Sequence, residues 1–227
     1  MLVVQCDFDD TVSVGNVSAA IKQEFGPAEL VAMEREYHSG LYSVEESNIR
    51  QFGLVTASEE HIAEFVVSAV KVRDGFTGFV NYCRREGLKL VIVSSGLDLY
   101  IAPTLARLGL SDLEFYSART RSTGKGIEVT YTDPWGDPIT RGFKDAHVRS
   151  LKKKGATVIY VGDGYSDFGP AEQADFVIAR SQLEAHRRRH LHPFFPFETF
   201  NDVERHVEEI RRIVARRSRS PRDGPGA

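Results

Sequence analysis

Cysteine is scarce. Cys6 and Cys83 are the only two in 227 residues. Two distant thiols support neither a disulfide scaffold nor a thiolate zinc site, and a reducing, cytoplasmic setting is the expectation. Each sits in an apolar stretch and reads as a small packing residue. Long hydrophobic runs are also missing: none approaches the ~20 residues of a membrane span. The opening Met1–Asp7 reads as a strand rather than a signal sequence, since it lacks a basic segment leading into a long apolar one. No membrane partner is therefore expected.

Nor does charge of one sign dominate. Lys and Arg total 29 against 32 Asp and Glu, a formal net charge of −3. That balance argues against nucleic acid held by the whole surface. It also conceals an asymmetry. Residues 215–227 carry Arg216, Arg217, Arg219 and Arg222 against Asp223, a net +3, which leaves −6 on the rest. Rich in Arg, Ser, Pro and Gly, this tail is expected to be disordered, with only weak, salt-sensitive attraction for acidic partners.

What is present is a globular composition, 41% hydrophobic and 27% charged, enough for one large domain or a domain with an insert. Leu2–Cys6, Leu88–Val93 and Thr157–Val161 are short continuous apolar runs. Such runs read as strands covered on both faces, and Phe176–Ala179 adds a fourth. Amphipathic helical stretches lie between them, at Phe76–Glu86, Leu99–Leu108, Asp145–Lys154 and Val203–Val214. Strands alternating with helices predict an α/β fold, a doubly wound Rossmann-like parallel sheet, with ligands beyond the carboxyl ends of the strands. Residues 1–13 and 73–214 form this core. Residues 14–72 hold no convincing strand and read as four helices, an inserted helical cap. Glu114–Thr140 reads as a hairpin flap or extra strands around the turn Asp133–Asp137.

Three polar clusters fall where a ligand is expected. Asp7 and Asp9, two residues apart after the first strand, can face one pocket, and their mutual repulsion asks for a divalent cation that prefers oxygen ligands. Asp163 and Asp167 follow the third run with glycines that allow close backbone approach. Ser94-Ser95-Gly96 offers hydroxyls and backbone N–H groups at a strand-to-helix turn, an anion cradle. Lys144 opens a helix, where it can present a point charge to a phosphate.

Taken in order, the Asp7-x-Asp9-x-Thr11 loop, Ser94, Lys144 and Gly162-Asp163-x-x-x-Asp167 resemble the four motifs of the haloacid dehalogenase superfamily. The helical stretch between the first two resembles its C1 cap. The resemblance implies a phosphatase that uses Mg²⁺ and acts on a small phosphorylated metabolite. Asp7 would be the nucleophile that forms an aspartyl-phosphate, and Asp9 the acid and base. Magnesium would be held by Asp7, Asp9 (through its carbonyl), Asp163 and Asp167, and phosphate by Ser94, Ser95 and Lys144. An acid at position 9 favours phosphoryl chemistry over dehalogenation.

Within the superfamily the chain resembles the phosphoserine phosphatase-like group, and in Asn48–Leu54, Val72–Phe76 and Ser94–Asp98 the 2-hydroxy-3-keto-5-methylthiopentenyl-1-phosphate phosphatases. The latter more often carry Gly where Ser95 stands. Phosphoserine phosphatases place a Glu nine positions after the nucleophile, against the substrate ammonium. Asn16 stands there and cannot pair with an ammonium as a carboxylate does, so phosphoserine ranks below another small ester. Arg50, in the cap, is either a substrate ligand or a solvated helix charge. A metabolite-binding module on a retired fold of this family is the non-enzymatic alternative. His186, His190 and His192 lie among arginines that would repel a cation, and Thr123–Gly126 reads as a plain turn. Trp135 and Phe194–Phe197 pack locally or mark a dimer patch. Oligomeric state is left open.

Overall fold

Val3 and Val4 are consecutive in the first strand, and both are fully buried. Successive strand residues face opposite sides of a sheet, so this strand is covered on both faces. The computed structural model, which describes residues 1–219, shows how. β1 (Leu2–Cys6) lies between β2 (Lys89–Leu97) and β6 (Thr157–Gly162), parallel to both. β3 (Phe115–Thr123) extends the parallel sheet beyond β2, and β7 (Phe176–Ala179) and β8 (Phe195–Pro196) extend it beyond β6. β4 (Gly126–Thr132) and β5 (Pro138–Ile139) add an antiparallel meander at the β3 edge. The spatial order is β5-β4-β3-β2-β1-β6-β7-β8. The strand order reverses at β1, the place where doubly wound sheets open a crevice for ligands.

Helices α5 (Phe76–Arg85) and α7 (Phe143–Lys153) pack on the sheet, the first also on the terminal helix α10 (Phe200–Arg219) and the second on α8 (Phe168–Gln173). α5 meets α10 through Phe76 and Phe79, whose ring centroids lie 5.0 and 5.6 Å from Phe200. Each such buried ring contributes about 2–3 kcal/mol relative to exposure. α6 (Asp98–Arg107) and α9 (Ser181–Arg189) complete the strand connections.

Between β1 and α5 the chain forms α1 (Val17–Phe25), α2 (Leu30–His38), α3 (Val44–Phe52) and α4 (Glu59–Ala69). Local chemistry starts three of these. The Asn16 and Ser58 side chains accept from Ala19 N–H and His61 N–H. Ser43 and Glu46 form a reciprocal capping box on α3. The two ends of the helical segment are drawn together: Ser13 bridges Val72, and Val14 N–H donates to Lys71 O at 2.8 Å.

Three local expectations change. β2 does not end at Val93 but runs to Leu97, with a register shift against β3, so Ser94-Ser95-Gly96 lies within the irregular end of a strand and not in a turn. α9 forms over Ser181–Arg189, where no element was expected. α10 reaches Arg219, so residues 215–219 are helical and not disordered. The breakers start only at Pro221, and Ala215 to Arg219 holds good helix formers. Arg217 also sets its guanidinium over the Phe176 ring at 5.8 Å. The rest of the tail, residues 220–227, lies outside the described residues. No helix among the described residues is long and apolar enough to cross a membrane.

Candidate active site

The parallel register decides which side chains meet. Cys6 is level with Ile92 on one side and Val161 on the other. Asp7, one residue on, and Ser94 and Asp163, two residues on, therefore reach the same edge. Asp7 N–H donates to Val161 O at 2.9 Å, which holds the chain as it leaves β1. Asp7, Ser94, Lys144 and Asp163 all line one cavity of about 220 Å³.

Asp7 is buried, and Lys144 Nζ stands 2.7 Å from its Oδ1. This is an ion pair off the hydrogen-bond line, since Oδ1 has no aligned donor. Lys144 Nζ also lies 2.7 Å from Asp167 Oδ1 and donates to Ser166 Oγ at 2.9 Å. Burial pushes the Lys144 ammonium toward neutrality, but Asp167 and Asp7 more than reverse this and hold the proton on. Asp167 is fully enclosed. Its Oδ1 takes Lys144 and Tyr160 Oη, and its Oδ2 takes the N–H groups of Asp163 and Gly164 at 2.8 and 2.9 Å. With four donors, Asp167 arranges the loop and the lysine. Gly162 is required beside it: a Cβ there would stand 2.7 Å from the Asp167 carboxyl group.

Asp163 is buried with Thr11 Oγ1 donating to its Oδ1 at 2.9 Å. Burial, then the Asp167 and Asp10 carboxylates, raise its pKa to about 7. Burial also raises the Asp7 carboxyl well above the usual range, against the pull of Lys144. One carboxylate oxygen from each of Asp7, Asp163 and Asp167 lies within 4.8 Å of the others. Three buried carboxylates face a single ammonium, and an oxygen-preferring divalent cation would correct that imbalance. The donor set fits Mg²⁺.

Asp9 is oriented differently. Its Oδ1 accepts from Val17 N–H at 2.7 Å, and its Oδ2 accepts from Tyr100 Oη. Burial raises its pKa, partly offset by these two bonds. Its carboxylate thus points away from the acidic trio and into the cavity it lines. Gly96 makes room: a Cβ there would meet Tyr100 Oη at 2.0 Å and Asp9 Oδ2 at 2.7 Å. Arg73 holds the loop from behind, donating to Thr11 O at 2.8 Å and Asp10 O at 2.7 Å.

The helical segment supplies the outer wall. Asn16, Ser18 and Lys22 from α1 and its cap, Glu34 and Tyr37 from α2, and Ser47 and Asn48 from α3 line the cavity. Asn16 spends its Oδ1 on capping α1 at 2.7 Å. Lys22 Nζ donates to Gln51 Oε1 at 2.5 Å and pairs with Glu34 at 3.2 Å. Sequence reasoning missed Lys22 and Asn48. The signal for Lys22 was its place one helical turn after Ser18, on the same face of α1. Arg50 is absent from the cavity. It is exposed and lies over the Tyr42 ring at 4.1 Å. Its position is two residues from Asn48, and residues two apart do not share a helix face. His186 stacks on Phe168 at 3.9 Å, while His192 and Arg187 meet Glu172, which accounts for that cluster by packing and ion pairs.

Residues 4–172 match the haloacid dehalogenase-like hydrolase family. The chain belongs to that family. It is also 33% identical over 217 residues to the 2-hydroxy-3-keto-5-methylthiopentenyl-1-phosphate phosphatase of Brevibacillus brevis, covering 94% of this chain and 98% of that one. Identity to the protein of the same name from Geobacillus thermodenitrificans is 30% over 218 residues, with the same coverage. Among solved structures, a substrate-bound phosphoserine phosphatase complex superposes with a TM-score of 0.68 at 17% identity, over 90% of this chain and 97% of that one. A phospho-aspartyl intermediate analogue of phosphoserine phosphatase gives 0.66 at 18% identity, over 87% and 94%. These two likenesses show the fold. Family and relatives together make this chain a phosphoric monoester hydrolase.

Proposed function

We propose that the protein hydrolyses a small phosphate monoester through an aspartyl-phosphate on Asp7, and that 2-hydroxy-3-keto-5-methylthiopentenyl-1-phosphate is its substrate. The observation that carries the chemistry is the buried grouping of Asp7, Lys144 and Asp163 at the switch point of the sheet. The substrate reading rests on relatives of that name aligned along 94% of the chain.

Asp7, Asp163 and Asp167, together with the Asp9 carbonyl, would hold Mg²⁺, which when bound would offset the charge of the carboxylates and the phosphoryl group. Lys144 would present its fixed positive charge to the phosphoryl oxygens, with Ser94 and Ser95 on the wall of the same cavity. An Asp7 carboxylate oxygen attacks phosphorus while the phosphorus–oxygen bond to the alcohol breaks. Asp9, its pKa raised by burial, gives its proton to the departing oxygen. Asp9 then takes a proton from water as that water attacks the acyl phosphate, freeing inorganic phosphate and restoring Asp7.

The helices α1–α4 act as a cap that encloses the ester and limits its size, which fits a metabolite and not a macromolecule. Asn16, neutral and engaged as a helix cap, offers no anionic partner for the ammonium of phosphoserine. Two free, buried cysteines agree with a reducing cytoplasm.

Turnover of the methylthiopentenyl phosphate and of phosphoserine, each with Mg²⁺ and with EDTA, tests both parts. The reading predicts Mg²⁺-dependent release of phosphate, with the former ester favoured at least tenfold. Equal turnover of the two would overturn the substrate, and turnover unaffected by Asp7→Asn would overturn the mechanism.

A further inference from the structure

Helix α7 carries Lys144 in its first turn, yet its own chain does not cap it. Gly142, at the N-cap position, has φ of 72° and no side chain to offer. The first N–H groups of a helix need acceptors from elsewhere. The Phe143 N–H finds one 98 residues away: it donates to Glu45 Oε1, on α3, at 3.0 Å. Glu45 is buried, has no cationic partner within ion-pair distance among the described residues, and does not line the substrate cavity. A carboxylate at that place also meets the positive end of the α7 dipole.

The same helix reaches the phosphate strand. Ser95 Oγ donates to the same Glu45 oxygen at 3.4 Å. Asn48 Nδ2, one turn further along α3, donates to Ser95 O at 2.8 Å and lies 3.0 Å from Tyr131 Oη, which itself donates to Ser95 O. Outer contacts repeat the pattern. Ser43 Oγ donates to Thr140 O at 2.6 Å, and Glu46 pairs with Arg141 at 3.3 Å. Gly126 lies so near Gly53 that a Cβ would stand 2.0 Å from the Gly53 oxygen. Thus α3 touches both core segments that hold phosphate, Ser94–Gly96 and the start of α7.

We infer that Glu45 is a positioning residue, which caps the lysine-bearing helix from the helical segment and so makes the phosphate site complete only while α3 is seated. The inference rests on the phosphatase reading above. It adds that the helical segment orders the phosphate-binding groups as well as enclosing the ester. Lifting α3 would withdraw the acceptor from Phe143 N–H and from Ser95 Oγ together, leaving Lys144 on an uncapped helix end.

The test compares Glu45→Ala, Glu45→Gln and Arg50→Ala in the full chain with Mg²⁺. Measured are inorganic phosphate affinity by calorimetry, kcat and KM for a generic aryl phosphate, and the melting temperature. A hydrogen bond to a charged group supports 10- to 100-fold. Glu45→Ala should weaken phosphate binding and lower kcat/KM by that factor. Glu45→Gln, which keeps the acceptor oxygen, should recover most of the loss, and Arg50→Ala, exposed on the same helix and outside the cavity, should stay within twofold of wild type. If Glu45→Ala does not fold, Glu45→Asp, one methylene short of Phe143 N–H, should show the same phosphate defect. Variants that melt earlier but bind phosphate and turn over like wild type would overturn the inference, leaving Glu45 with stability alone. An inactive wild type would instead count against the phosphatase reading, while the phosphate affinities would still judge Glu45.

Discussion

Lys144 reaches Asp167 at 2.7 Å, and Asp167 is fully enclosed by donors from four residues. Removing one partner from a buried pair leaves the other charge unbalanced. Asp167→Asn should therefore cost about 3–5 kcal/mol of stability in denaturant unfolding, and should lower kcat by more than 100-fold because the lysine loses its anchor. Asp167→Asn that unfolds at the wild-type midpoint would show that the four donors do not need the charge.

Gly96 separates Asp9 from a clash. With a Cβ at that position, Tyr100 Oη and Asp9 Oδ2 would both have to move. Gly96→Ala is expected to fold, with a kcat reduced 10- to 100-fold by displacement of the acid. Pre-steady-state kinetics should place the loss in the bond-breaking step and not in product release.

His147 gives the fold a dependence on pH away from the chemistry. It is buried against the rings of Tyr116 and Phe143, at 4.5 and 4.8 Å, and burial lowers its pKa to about 4. The unfolded chain takes up this proton near pH 6.5, the folded chain only near 4. Between those values the unfolded state binds more protons, so stability is full above pH 6.5 and falls as the pH drops toward 4. The contribution amounts to about 3 kcal/mol. His147→Phe should remove that part of the slope, as read from urea midpoints at pH 7 and pH 4.5. An unchanged slope would assign the acid sensitivity to other groups.

Arg50 is exposed and stacked on Tyr42, outside the cavity. Arg50→Ala should leave kcat/KM within twofold of wild type for any ester. Lys22→Ala, by contrast, removes a cation from the cavity wall and should raise KM at least fivefold, with kcat changed less. Steady-state kinetics of the two variants side by side decides this.

Much of the site could be read in one dimension because its carboxylates sit in short loops directly after apolar runs. Leu2–Cys6 and Thr157–Val161 are buried on both faces, so their composition alone marks them as central strands, with Asp7 directly after the first and Asp163 one residue beyond the second. The helices of residues 14–72 were legible because their starting signals are local, as with Asn16 on α1 and Ser43 on α3. Arg50 stood open between substrate ligand and solvated charge because one turn of α3 has both a cavity side, with Asn48, and a solvent side, and only packing decides which residue faces which. The start of the tail was misjudged because composition averages Ala215–Arg219 with the Pro- and Gly-rich residues beyond.

By itself, the sequence determined the fold class, the four chemical motifs and the ends of β1 and β6, since these follow from local periodicity and from which residue types can bear a charge. Tertiary structure alone decided three further things. The parallel register brought Asp7, Ser94 and Asp163 to one edge. The enclosure of Asp167 set Lys144 between two carboxylates. The seating of α3 placed Glu45 on the end of α7. Each joins residues dozens to more than a hundred positions apart. Such contacts arise from packing the helices on the sheet, and no local pattern in the chain records them.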